Sequence, residues 1–208
     1  MPVARDRLAG SALSIAPRLL GAVLVSSIGD ASVAVRLTEV EAYEGADDPA
    51  SHAFRGETVR TSVMFGPPGH LYCYFTYGMH WCANIVCGPA GRAAAVLLRA
   101  GEVIEGHDVA RERRPAARRD AELARGPARL ATCLGLNAAT NGVDLCDPAA
   151  DVRLESMPRR RAAAVTSGPR VGISVAQANP WRFWLRDDPT VSAFRTGGRP
   201  ARRTDPAD

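Results

Sequence analysis

Short apolar or alternating runs, broken by Gly and Pro, dominate the first half of the chain and predict β-strands rather than helices. Residues 22–27 and 32–43 form two such runs, separated by the turn signal Ile28-Gly29-Asp30-Ala31. On the second run Leu37, Glu39 and Glu41 share one face and Thr38, Val40 and Ala42 the other, because side chains alternate along a strand. A carboxylate on a strand is ordinarily solvated, which is the expectation for Glu39 and, on pattern alone, for Glu41.

A second pair of runs, over residues 71–85, reads as a β-hairpin broken at Tyr77-Gly78, where Gly can supply the positive φ of a tight turn. Leu71, Cys73 and Phe75 would face one way, Tyr72, Tyr74 and Thr76 the other, with Tyr77 at the tip. An aromatic side chain there either folds back over the sheet edge or stands out as a wedge between stacked bases.

The connection over residues 44–69 is long, rich in Gly, Pro and Asp, and carries His52, Arg55 and Arg60. Loops of that length in compact domains are often functional. After the turn Gly88-Pro89-Ala90-Gly91, residues 94–100 read as a buried central strand with Arg99 near its end. An Arg so placed needs an acid or water, and Glu41 is its most economical partner. Residues 102–113 and 120–136 read as helices, the second interrupted or restarted at Gly126-Pro127. Residues 151–155, 170–175 and 181–186 read as closing strands. Residues 1–17 read as a lead-in and the polar tail from residue 196 as disordered, leaving one domain over residues 18–195 and no internal repeat.

The charge is compatible with a nucleic-acid partner, although an Ala- and Arg-rich coding bias accounts for much of it. The net charge is +4, and all 26 basic residues are Arg, with no Lys. Arg suits bidentate phosphate contacts and stacking, although any one member of the cluster Arg111, Arg113, Arg114, Arg118, Arg119, Arg125 and Arg129 could equally be a solvated surface charge. The five Cys are odd in number and form no CxxC pair, which argues against zinc ribbons, iron–sulfur clusters and disulfide frameworks and favours reduced thiols in a cytoplasmic protein. The apolar stretch at 19–25 is too short to span a membrane and lacks a clean signal-peptide cleavage pattern.

Glu41-Ala42-Tyr43, His52, Tyr72-x-Tyr74-x-x-Tyr77-Gly78-Met79, Asn84, Leu97-Leu98-Arg99-Ala100, Gly126-Pro127-x-x-Leu130 and Arg170-Val171-Gly172 together resemble, in this order, the alkyladenine (3-methyladenine) DNA glycosylase family. The resemblance implies an α+β fold: one domain around a curved, mainly antiparallel sheet, with a protruding hairpin that intercalates into DNA. It further implies an enzyme that flips alkylated or deaminated purines out of duplex DNA and hydrolyses the N-glycosidic bond without cofactor or metal, acting as a monomer. In that comparison Glu41 resembles the general base, holding a water with Arg99 and the backbone carbonyl of Val171. Tyr43 and His52 resemble one wall of the base pocket and Tyr74 the other. Asn84 matches the residue that rejects the exocyclic amine of guanine, while Tyr77 matches the wedge, with Met79 beside it.

The residues themselves support that chemistry. Base flipping costs a few kcal/mol, and aromatic stacking of about 1–3 kcal/mol per contact can offset it. A cationic alkylated purine is a good leaving group, so one carboxylate activating one water suffices. Two other classes compete: a non-catalytic module that senses distorted DNA, which needs neither Glu41 nor Arg99, and a hydrolase of free nucleosides, which leaves Tyr77 and the Arg-rich segment without a role.

Overall fold

In the computed structural model, which describes residues 1–29, 31–76, 78–156 and 165–197, the alternating run becomes the strand on which the sheet is built. That strand, β2 (Val33–Tyr43), follows β1 (Val23–Ser26) and precedes the pair β3 (Leu71–Thr76) and β4 (His80–Val86). The sheet is completed by β5 (Ala95–Glu105), β6 (Val152–Glu155), β7 (Val165–Gly168) and β8 (Arg182–Leu185). All pairings are antiparallel, in the order β3-β4-β5-β2-β1-β6. β2 is long enough to pair with β1 through Val33–Arg36 and then, further along, with β8 through Glu39–Glu41, while β7 adds to β8. The result is the expected α+β domain around a curled antiparallel sheet.

Three helices cover it among the described residues: α1 (Ala12–Leu19), α2 (His107–Arg113) and α3 (Pro127–Leu134). α1 packs on β2, and α3 on β4 and β5. The main core lies on this helical side of the sheet, where Leu71 and Cys73 meet Val40, Leu98, Leu130 and Ile15. A smaller apolar cluster on the other side, under the 44–69 loop, holds Ala53, Met64 and Tyr72 with Tyr74 against it. The alternation expected for β3 therefore separates the core from the pocket side. Phe75 departs from it by staying half exposed and packing on Trp81, its cross-strand partner, at 5.1 Å.

Several elements differ from the sequence reading. Residues 1–17 are no mere lead-in: α1 begins within them, capped by the Ser11 side chain, and Leu8, Ala12, Ile15 and Ala16 are wholly buried. Pro17, expected to close that segment, lies inside the helix. Residues 102–105 are not helical, because β5 continues beside the long β2; Arg36 and Glu102 face each other across the ladder, 2.6 Å apart. The helix starts only after Gly106, whose φ of +74° suits glycine. The segment at 120–136 is a single turn at Asp120–Glu122 and then α3, restarted with Pro127 in its first turn. Residues 170–175 form no strand; the ladder that pairs with β8 comes earlier, at Val165–Gly168. Of the expected disordered tail, residues 198–208 lie outside the described residues, as does Asp30 in the first turn. No helix among the described residues is long and apolar enough to cross a membrane.

Candidate active site

Register aligns the pocket. Tyr72 pairs with Asn84, Asn84 with Leu97, Leu97 with Glu41 and Glu41 with Arg182, so one row of side chains crosses β3, β4, β5, β2 and β8. Residues paired across an antiparallel sheet share a face, and this face borders a cavity of about 330 Å³. Six of the expected site residues line it: Tyr43, His52, Tyr74, Asn84, Arg99 and Val171. Glu41 lies immediately beneath, wholly buried.

Glu41 is held on both oxygens. Oε1 accepts the backbone N–H of Val171 at 2.7 Å and stands 3.3 Å from Arg99 Nη1, and Oε2 accepts the Tyr43 hydroxyl at 2.9 Å. Val171 therefore meets Glu41 through its backbone amide. Burial raises the proton affinity of Glu41 above that of an ordinary glutamate, and the charge of Glu39 adds to the rise. Arg99, the Val171 amide and the Tyr43 hydroxyl pull the other way. Burial also pushes the Tyr43 phenol up, so it stays a hydrogen-bond donor.

Arg99 does face Glu41, but its shorter bond is elsewhere: Nε donates to Glu39 Oε1 at 3.0 Å. Glu39, expected to be solvated, is wholly buried and also accepts the N–H of Ser192 at 2.7 Å. The β2–β5 register slips at this point. Glu39 aligns with Ala100, whereas Leu37–Gly101 on one side and Val40–Leu98 on the other keep the regular step, so the irregularity falls at Thr38 on β2 and at Arg99 on β5. Such irregularities re-aim side chains next to active sites.

His52 reaches the pocket from the 44–69 loop. Its Nδ1 is 3.2 Å from the Tyr72 hydroxyl and its ring meets Tyr74 edge-on at 4.5 Å. Burial, followed by the nearby charge of Arg60, lowers the proton affinity of this imidazole and keeps it neutral at neutral pH. Arg60 in turn lies over the Tyr74 ring at 5.5 Å. The His52 and Tyr74 rings are thus in direct contact in this structure. Asn84 is buried, its Nδ2 donating to the Tyr72 carbonyl at 3.1 Å. Met79, in the turn between β3 and β4 beside Gly78 (φ +68°), is 67% exposed. Tyr77 lies outside the described residues.

Local pattern does not reveal how Arg170 anchors the loop and the Val171 amide. Arg170, 2% exposed, donates two hydrogen bonds to Asp48, at 2.5 and 2.8 Å, and one to the Ala42 carbonyl at 3.0 Å, with Tyr43 and Trp181 stacked on its guanidinium. The partners lie 122 positions apart, beyond the reach of local pattern. Glu39, by contrast, had a visible signal: it sits two residues from Glu41 on the same strand face.

A second cavity of about 420 Å³ adjoins the first, sharing Arg99, Pro127 and Val171 and bordered by Arg125, Arg129 and Arg195. Much of the Arg-rich segment, however, is occupied internally. Arg111 pairs with Asp108 and Asp120, Arg119 with Glu122, and Arg113 and Arg114 bond backbone carbonyls. Among the described residues no group of three or more His, Cys, Asp or Glu could hold a metal ion.

Residues 6–189 match the methylpurine-DNA glycosylase (MPG) family. The chain belongs to that family. It is 54% identical over 205 residues to a Streptomyces avermitilis protein named "Putative 3-methyladenine DNA glycosylase", covering 98% of this chain and 96% of that one. Proteins with the same name from Nocardia farcinica and Mycobacterium tuberculosis are 55% identical over 189 residues and 47% over 203. They cover 88% and 95% of this chain and 87% and 97% of their own lengths. Membership places the chain among DNA glycosylases, hydrolases of N-glycosyl bonds whose substrate is DNA.

Proposed function

We propose that this glycosylase flips alkylated or deaminated purines, 3-methyladenine among them, out of duplex DNA and releases them with a water activated by Glu41. The observation that carries the reading is the environment of Glu41. A carboxylate offers about four acceptor positions; the Val171 amide and the Tyr43 hydroxyl donate to two and the Arg99 ion pair covers a third, on Oε1, which leaves one on Oε2 for a water. A base must also keep some proton affinity, and burial keeps that of Glu41 high. A module that only bound DNA would have no use for a buried carboxylate so arranged.

Tyr43, His52 and Tyr74 supply the aromatic surround of the flipped purine, and the His52 ring moves aside as the base enters. The neutral imidazole spares a cationic lesion a like charge. Asn84, fixed by its bond to Tyr72, is the group on which the 2-amino substituent of guanine would clash. Tyr77, with Met79, is the wedge that fills the vacated stack, and Arg125, Arg129 and Arg195 face the backbone phosphates. The reaction needs no metal or cofactor, and the enzyme works as a cytoplasmic monomer on DNA. Single-turnover release of base from duplexes carrying one defined lesion, with EDTA present, tests this. Glu41→Gln should lower the rate at least about a thousandfold while lesion binding stays within about tenfold. Normal excision by that variant would make Glu41 structural.

A further inference from the structure

Arg99 has three edges, and the structure spends them unequally. Nε donates to Glu39 at 3.0 Å, Nη2 donates to the Ser192 hydroxyl at 3.4 Å, and Nη1 alone turns to Glu41, at 3.3 Å. Glu39 and Ser192 are themselves joined twice: the Ser192 N–H donates to Oε2 at 2.7 Å and its hydroxyl to Oε1 at 3.0 Å. Nη1 of Arg182, whose guanidinium stacks on Trp184, stands 3.4 Å from the same carboxylate. A planar guanidinium clamped on two edges cannot rotate to meet a third partner side-on. Without Glu39, the natural arrangement for Arg99 and Glu41 is the bidentate fork, which would also take the remaining acceptor position on Oε2.

We propose that Glu39 is a positioning residue for excision: it holds Arg99 in a one-point approach to Glu41 Oε1, so that the base keeps an acceptor position on Oε2 open to water. The proposal rests on the reading of Glu41 as the general base. Charged and titratable groups face Glu41 from four strands: Glu39 and Tyr43 on β2, Arg99 on β5, Arg182 on β8 and Tyr74 on β3. Replacing Glu39 by Gln removes a like charge and frees Arg99 to turn fully to Glu41. Both changes favour the ionised base, so both act in one direction.

The test is the pH profile of single-turnover base release from a hypoxanthine-containing duplex, with Glu41→Gln assayed in parallel. In Glu39→Gln the acid limb should move down by about one pH unit, and the plateau should fall about a hundredfold as the water position is lost. Affinity for the duplex should stay within about threefold of wild type, since the partners of Glu39 are Arg99, Ser192 and Arg182 and not Arg125, Arg129 or Arg195, the residues proposed to face phosphate. Glu39→Asp keeps the charge but sets it back; its limb should remain at the wild-type pH while its plateau drops. An unshifted limb in Glu39→Gln, with a uniform loss that follows a lowered melting temperature, overturns the proposal. Should Glu39→Gln fail to fold, Ser192→Ala, which frees one edge of Arg99, decides instead: a downward shift supports the proposal and an unshifted limb overturns it. Full activity in Glu41→Gln would defeat the reading of the base itself, whereas an inactive Glu41→Gln beside an unshifted Glu39→Gln defeats only the role of Glu39.

Discussion

A carboxylate with no exposed surface works against its own ionisation, and Glu41 tolerates this because three donors meet it. Its candidacy was legible from Glu41-Ala42-Tyr43 within the ordered set of motifs, and Asn84 and Arg99 lie on the pocket. Burial was not legible: alternation says which face a residue occupies, not whether that face meets water, and Glu39 was misjudged for this reason. The raised proton affinity of Glu41 has a consequence for stability. A carboxyl that binds its proton more tightly in the folded state costs nothing at low pH. It destabilises progressively as pH rises from the unfolded value of about 4.3 to the raised folded one. Glu41→Gln should therefore melt higher than wild type at neutral pH, by about 2 °C or more, and the difference should vanish towards pH 4. Calorimetry or thermal circular dichroism across that range checks it; a constant difference would mean that the folded and unfolded states hold this proton alike.

Elements built from local periodicity were read well, and those set by distant partners were not. The β3–β4 pair and β2 follow alternation, and α3 follows Gly126-Pro127. α1 was readable, with Ala12, Ile15, Ala16 and Leu19 at helical spacing, but Pro17 masked it. The fate of residues 170–175 depended on Asp48. Once the Arg170 side chain is committed to Asp48 and Ala42, and the Val171 amide to Glu41, that backbone has no ladder to join. This buried ion pair ties the His52 loop and the Val171 amide to the end of β2. Arg170→Met should cost about 3–5 kcal/mol by leaving Asp48 buried and unpaired. Adding Asp48→Leu should restore most of the stability, since an apolar pair of similar volume is often neutral. Excision should stay at least about tenfold down in the double variant, because nothing then fixes Val171 against Glu41. Urea unfolding and single-turnover excision, run on both variants, separate the two effects; recovery of activity together with stability would reduce Arg170 to a packing role.

At the scale of the whole molecule, an all-Arg basic complement restricts the chemistry. The α+β class and the curved, mainly antiparallel sheet followed from the resemblance, whereas the strand order and the internal pairing of the Arg-rich segment could not be read from local pattern or a charge run. A glycosylase that also nicks the strand uses an amine nucleophile to form a Schiff base with the sugar. This chain has no Lys, and guanidinium groups remain protonated and are poor nucleophiles. The α-amine of Met1 stands 3.9 Å from Glu155 on the edge strand β6, and Pro2, whose secondary amine would replace it if Met1 were removed, bridges to the same Glu155. Glu155 pairs with Val23 and Val23 with Arg36, so the amine lies two strands across from β2 and five residues along it from Glu41. At sheet spacings of about 4.8 Å per strand and 3.3 Å per residue, that is roughly 20 Å from the base. The products should be free purine and an intact abasic strand, with breakage only after alkali or an added abasic endonuclease. Borohydride should trap no covalent complex on lesion-containing DNA, and a complex that survives acetylation of the N-terminus would show a nucleophile that this geometry does not provide.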